Sequence, residues 1–144
     1  MMNHSRLVTA FAALAAFATV APATAQEVHL LARVPFAFSV GDANCPGDTY
    51  RLTRMTGHPD MLFLRGDRTG TFVQTDEVRV PRDGATPSLV FHRYGDQYFL
   101  REIRWEGRTR FDVSETKAER EAAEGRRHRA AALMETVIVT ADRR

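Results

Sequence analysis

A single cysteine, Cys45, is all the thiol chemistry this chain has. With no second cysteine the chain cannot be stapled to itself, and with no histidine beside it in GDANCPGD the thiol has neither a metal partner nor a catalytic base. Its options are a disulfide-linked dimer through Cys45 or a free reactive thiol, and a loop of Gly, Asn, Pro and Asp is expected to leave it exposed. Long apolar runs are missing beyond residue 25, so no later transmembrane segment is expected. Also absent are a G-x-S-x-G elbow, a P-loop, a dinucleotide fingerprint and any zinc-ligand spacing. His29, His58 and His128 fall in unrelated segments, so neither a metal nor a cofactor is expected. Ser88, His92 and Asp96 are spaced by four, which on a strand separates neighbours by about 13 Å and forbids a triad.

Charge of one sign is lacking too. There are 20 Lys and Arg against 18 Asp and Glu. The first 25 residues hold one Arg and no acid, so the remainder is one charge from neutral. Basic residues around Trp105 (Arg101, Arg104, Arg108, Arg110) are interleaved with Glu102, Glu106 and Asp112. No nucleic-acid partner is expected from such a surface.

What is present begins with MMNHSRLVTAFAALAAFATVAPATAQ. His4 and Arg6 precede an apolar run from Leu7 to about Val20, and Ala23, Thr24 and Ala25 form an A-x-A site. This is the pattern of a secretory signal peptide over 1–25, with a mature start near Gln26 and a periplasmic or secreted product. Residues 26–144 suit one domain.

Residues 26–113 read as a β domain. Val34, Phe36, Phe38 and Val40 alternate with Pro35, Ala37 and Ser39, the period-two signature of a half-buried strand, with Pro35 at an edge, a strand start or a bulge. TYRLTRM, MLFLRG and a less regular TFVQTDEVRV follow, separated by GDANCPGD, TGHPD and DRTG. SLVFHRY and QYFLREIRW then form a hairpin across Gly95 and Asp96. Counting out from the turn pairs Tyr94 with Gln97, Arg93 with Tyr98, His92 with Phe99, Phe91 with Leu100 and Val90 with Arg101. That register puts Phe91 and Leu100 on one face, and His92, Phe99, Ile103 and Trp105 on the other. EGRTRFDV reads as loop.

In 114–134, Thr116 and Glu119 make a T-x-x-E capping box before an Ala-, Glu- and Arg-rich helix whose apolar stripe is nearly all alanine, hence a peripheral helix. The β-branched run in 135–144 reads as a tail or an edge strand. The fold expected is mainly β: a small antiparallel sandwich or partly closed barrel of about six strands with a peripheral C-terminal helix. Phe36, Phe38, Tyr50, Leu52, Leu62, Leu64, Phe91 and Leu100 are expected to supply much of its core.

VPFAFSVGD, GDTYRLTR, LVFHRYGDQYFLREIRW and TKAERE, in this order and at these distances, resemble a family of small, signal-bearing, uncharacterised bacterial proteins abundant among soil bacteria. The resemblance runs from Val34 to Glu121, and FHRYGDQYFL is its most specific part. It implies an exported β-rich domain with a C-terminal helical segment, and brings no activity, cofactor or catalytic residue. In that family Leu-Pro-Ala-Gly precedes the second strand, whereas CPGDTY stands here, so Cys45 is peculiar to this chain.

The function expected is an exported, non-catalytic binding or structural β module whose partner is an extracytoplasmic protein or a small ligand. The alternative is a small extracytoplasmic enzyme or ligand-binding barrel with a pocket near Arg93, Tyr98 and Glu102. Candidate binding residues are His92, Arg93, Tyr98, Glu102 and Trp105. No catalytic residue is assigned.

Overall fold

The computed structural model describes residues 29–81, 86–127 and 134–144. The leader expected at 1–25 and its cleavage site lie outside the described residues, as do 128–133 of the expected helix. The elements are β1 (His29–Val34), β2 (Phe38–Val40), β3 (Ala43–Cys45), β4 (Asp48–Met55), β5 (His58–Arg65), β6 (Gly70–Arg79), β7 (Ser88–Tyr94), β8 (Gln97–Glu106), β9 (Thr109–Val113), α1 (Lys117–Arg127) and β10 (Glu135–Arg143). Among the described residues, no helix is long and apolar enough to cross a membrane.

Alternation along each strand sends one set of side chains inward, and the sheet closes on itself around them. The ring runs β8-β7-β10-β1-β4-β5-β6-β9 and returns to β8, a closed eight-stranded antiparallel barrel. Closure requires neighbouring pairings to be staggered along the strands. That stagger is visible in β6, whose residues 70–74 pair with β5 while 75–79 pair with β9. It recurs in β10, whose residues 135–140 pair with β7 while 141–143 pair with β1. Short β2 lies parallel to β8 at Ser39 and Phe99, and β3 folds back on β2.

An eight-stranded barrel is just wide enough for side chains to fill it. Here Leu30, Tyr50, Leu52, Leu62, Leu64, Leu89, Phe91, Leu100, Ile103 and Phe111 are buried in one continuous core. The expected core residues are all in it except Phe36, which packs on its edge, half-buried. Phe38 meets Tyr50 and Phe91 edge-on, with ring centroids 5.3 and 5.1 Å apart. Pro35, unable to donate to a ladder, stands where the chain leaves β1 for β2.

Five expectations are corrected. The strands among the described residues number ten rather than about six, and the additions include the short β3 and the closing β9 and β10. The segment read as loop contains β9, where Phe111 and Val113 turn inward between the charged Arg110 and Asp112. Residues 135–143 are no tail and no edge, because β10 is flanked by β7 and β1. In the hairpin, the four pairs nearest the turn stand as counted, but Val90 faces Glu102 rather than Arg101. Arg101 is the extra residue of a β-bulge, and the slip moves Ile103 and Trp105 onto the inward face with Leu100.

A fifth correction concerns Cys45. It is 3% exposed, not an exposed loop thiol. GDANCPGD folds as the β2–β3 hairpin, in which Cys45 pairs directly with Phe38 and so shares its inward face. Burial raises the thiol's pKa, which lowers the thiolate fraction on which both alkylation and disulfide exchange depend. Ellman's reagent should therefore react with Cys45 only after denaturant is added, and non-reducing electrophoresis should show a monomer. Full labelling of the native protein within seconds would contradict this burial.

The β4 entry is pinned by Asp48, whose carboxylate accepts the backbone N–H groups of Thr49 at 2.7 Å and Asp67 at 2.9 Å. These bonds, Asp67's first, hold its pKa below the ordinary value. A depressed folded-state pKa contributes stability above the unfolded value near about 3.9, and that contribution fades as pH falls through the folded one. Asp48→Asn should therefore flatten the acid limb of a plot of unfolding free energy against pH below about 4. An unchanged acid limb would show that the carboxylate contributes nothing.

Candidate functional site

The polar residues of the hairpin divide between the two sides of the barrel wall, because neighbours on a strand point oppositely. Arg93 stays with the barrel rim. Its guanidinium lies over the Tyr98 ring, 5.4 Å from the centroid, donates from Nε to the Gly95 carbonyl, and pairs through Nη1 with Glu135 at 3.2 Å. Tyr98 in turn stacks on Phe36, centroids 3.9 Å apart and planes within 15°. Gly95, at φ 70°, supplies the left-handed residue that this tight turn needs.

Glu102 does not join that group. It lies beyond the bulge and accepts from Arg104 Nε at 2.6 Å. Trp105 is 5% exposed and packs edge-on against Phe111 inside the barrel. Of the five candidate residues, only Arg93 and Tyr98 come together, and the space beside them is taken by Phe36.

His92 points outward to a centre that sequence reading did not single out. Glu119, in the first turn of α1, is 1% exposed. Its Oε1 lies 3.1 Å from His92 Nδ1 and accepts from the Tyr94 hydroxyl at 3.4 Å, while Oε2 accepts from Arg101 Nη1 at 2.8 Å. The Glu119 backbone N–H donates to Thr116 Oγ1 at 3.2 Å, the N-cap half of the capping box. The side chain, however, turns away from the cap and into the hairpin. The carboxylate there faces the Arg101 guanidinium and lies in the first turn of α1. Burial, with the Glu119 charge second, raises the Tyr94 pKa and keeps the phenol a donor.

Alternation from the inward Leu100 sends Arg101, like Phe99, to the outer face, where Glu119 of α1 meets it. Phe99 and Val90, also on that face, are buried although they are not part of the barrel core. Tyr94 closes the side, its ring edge-on to His92 at 6.4 Å and to Phe99 at 5.9 Å. The alanine stripe of α1 gives little area to bury, so the helix is held on the barrel mainly by this one carboxylate.

Chemically the arrangement is a clamp. Both Glu119 oxygens already have partners, and its neighbours are a base, a phenol and a guanidinium from one hairpin. A sequence signal for Glu119 existed in T-x-x-E, but it announced a helix start rather than a buried ion pair. Among the described residues, no group of three or more His, Cys, Asp or Glu is placed to hold a metal ion. No family model matches this chain, and neither do any curated proteins or solved structures.

Proposed function

We propose that this chain is an exported, non-catalytic β module that binds through its outer surface, with residues 1–25 as the export signal. The family resemblance over Val34–Glu121 belongs to the same proposal. The observation that carries the reading is the filled barrel. Tyr50, Phe91, Phe111 and their aliphatic neighbours occupy the interior where a ligand-binding barrel would keep a cavity. In support, the polar residues nominated for a pocket are engaged with one another: Arg93 with Glu135 and Tyr98, Glu102 with Arg104, His92 with Glu119. What remains for recognition is the outside of the wall, presented to an extracytoplasmic protein or small ligand.

Intact-mass measurement on protein from the native host's extracytoplasmic fraction should find residues 1–25 removed. The immobilised folded domain should retain a partner or ligand that the unfolded domain does not. A cytoplasmic product still beginning at Met1 would contradict the export half. Turnover of an ester, peptide or glycoside substrate that is lost on Arg93→Ala or Glu102→Gln would contradict the non-catalytic half.

A further inference from the structure

The outer face of β1, β4 and β5 carries every second side chain of those strands, and it is not covered by α1. There Leu31, Arg51, Met55, Phe63, Arg65 and Asp67 help to line a surface concavity of about 570 Å³. Strand register places Arg51 directly opposite Arg65, with Leu31 opposite Arg51 on its other side. Like charges directly opposite on neighbouring strands have Cβ atoms only about 4.5–5.5 Å apart and destabilise a sheet.

Several arginines elsewhere on the barrel are compensated, and others, such as Arg33, Arg79 and Arg108, have no carboxylate partner among the described residues. Arg54, Arg93, Arg101, Arg104 and Arg110 each have a carboxylate partner, whereas Arg51 and Arg65 form no ion pair among the described residues. One carboxylate, Asp67, also lines the concavity, and Asp142 stands on the far side of Leu31, so the lining itself keeps an excess positive charge. Beside the arginine row lies an apolar one. Phe63 pairs with Phe72, ring centroids 5.0 Å apart, and Phe72 is 59% exposed. Two guanidinium forks carried by directly opposed residues of adjacent strands can serve one oxyanion together, which would also relieve their mutual repulsion.

We propose that this concavity binds small amphiphilic acids. The oxyanion head, carboxylate or phosphate, sits between Arg51 and Arg65, and a short aliphatic or aryl body lies along Leu31, Met55 and Phe63. The volume is within the range of small-molecule sites. This site rests on the reading of the chain as a surface-binding module and gives that reading a ligand class.

Calorimetric titration of the folded protein at low salt tests it with four probes: octanoate, octyl phosphate, inorganic phosphate, and octyl glucoside below its micelle concentration. Octanoate and octyl phosphate should each bind once per chain and compete. Inorganic phosphate and octyl glucoside should bind at least about tenfold more weakly, each lacking one half of the ligand. Arg51→Ala and Arg65→Ala should each weaken the acids by about ten- to a hundredfold, the worth of a hydrogen bond to a charged group. Both positions are exposed, so folding should survive. Arg65→Glu, which sets opposite charges across the strands, should abolish acid binding and raise the melting temperature of the ligand-free protein.

Absence of heat with both acids, equal affinity for bare phosphate, or acid binding undiminished in the double alanine variant would each overturn the site. If the site fails while the immobilised domain still retains a specific partner, the surface-module reading stands without it. If both fail, that reading falls too.

Discussion

Phe91→Ala will cost the barrel about 3–5 kcal/mol of unfolding free energy, measured by denaturant titration. Phe91 is fully buried, and two further rings lean on it: Phe36 and Phe38, each edge-on with centroids 5.1 Å away. Truncation removes the ring's transfer energy and leaves a cavity. The cavity has little means of collapsing, because each strand of the closed wall is hydrogen-bonded on both sides. Phe72→Ala, on the exposed outer face, is the internal comparison and should cost less than about 1 kcal/mol. Equal losses at the two positions would mean that the barrel interior is not the packed core described above.

The second large effect belongs to Glu119. Glu119→Ala removes the acceptor for three hairpin groups and strands the Arg101 charge. Breaking a buried pair by removing one partner costs about 3–5 kcal/mol, and the low end applies because Arg101 is about a quarter exposed and can turn toward water. The loss should be local. Since α1 is held mainly by this carboxylate, its amides should lose hydrogen-exchange protection while the barrel strands keep theirs. Alanine is the better helix former, so a loss of protection in α1 would not stem from intrinsic propensity. Glu119→Gln, which keeps an acceptor oxygen but no charge, should fall between wild type and Glu119→Ala. Protection falling equally throughout the barrel would show that the clamp belongs to the global core rather than to the helix.

These two residues also mark how far local sequence reading reaches in this chain. Phe91 was legible because it sits in a strand next to a turn, where alternation and turn chemistry act over a few residues. The same holds for the four hairpin pairs nearest Gly95, for the core positions of β4 and β5, and for the N-cap at Thr116. Legibility ends at Arg101, where one extra residue inverts the phase of everything after it, and nothing local announces a bulge. Alternation counted through the bulge therefore puts Trp105 and Ile103 on the wrong face.

The closing strands are hard to read from the sequence for a related reason. β9 offers only Phe111 and Val113 as apolar signals between charged neighbours, and β10 reads as a terminal run. β10 owes its place to partners distant in sequence, and β9 is held both by β8 across the Gly107–Arg108 turn and by distant β6. Cys45 was misplaced because the composition of GDANCPGD is that of a loop, while its position is set by Phe38 across a two-residue turn. Glu119 combines both difficulties: a local motif explained its presence, and a long-range contact decided its role.

Trp105 is the chain's one tryptophan and lies inside the barrel against Phe111, so acrylamide quenching of its fluorescence tests the filled-barrel account most directly. A packed interior with binding confined to the outer wall predicts blue-shifted emission, quenching many-fold weaker than in the unfolded chain, and no change in either when octanoate is added to saturation. Quenching of the native protein close to that of the unfolded chain, or a Trp105 emission shift that saturates with octanoate, would put water or ligand inside the barrel and contradict it.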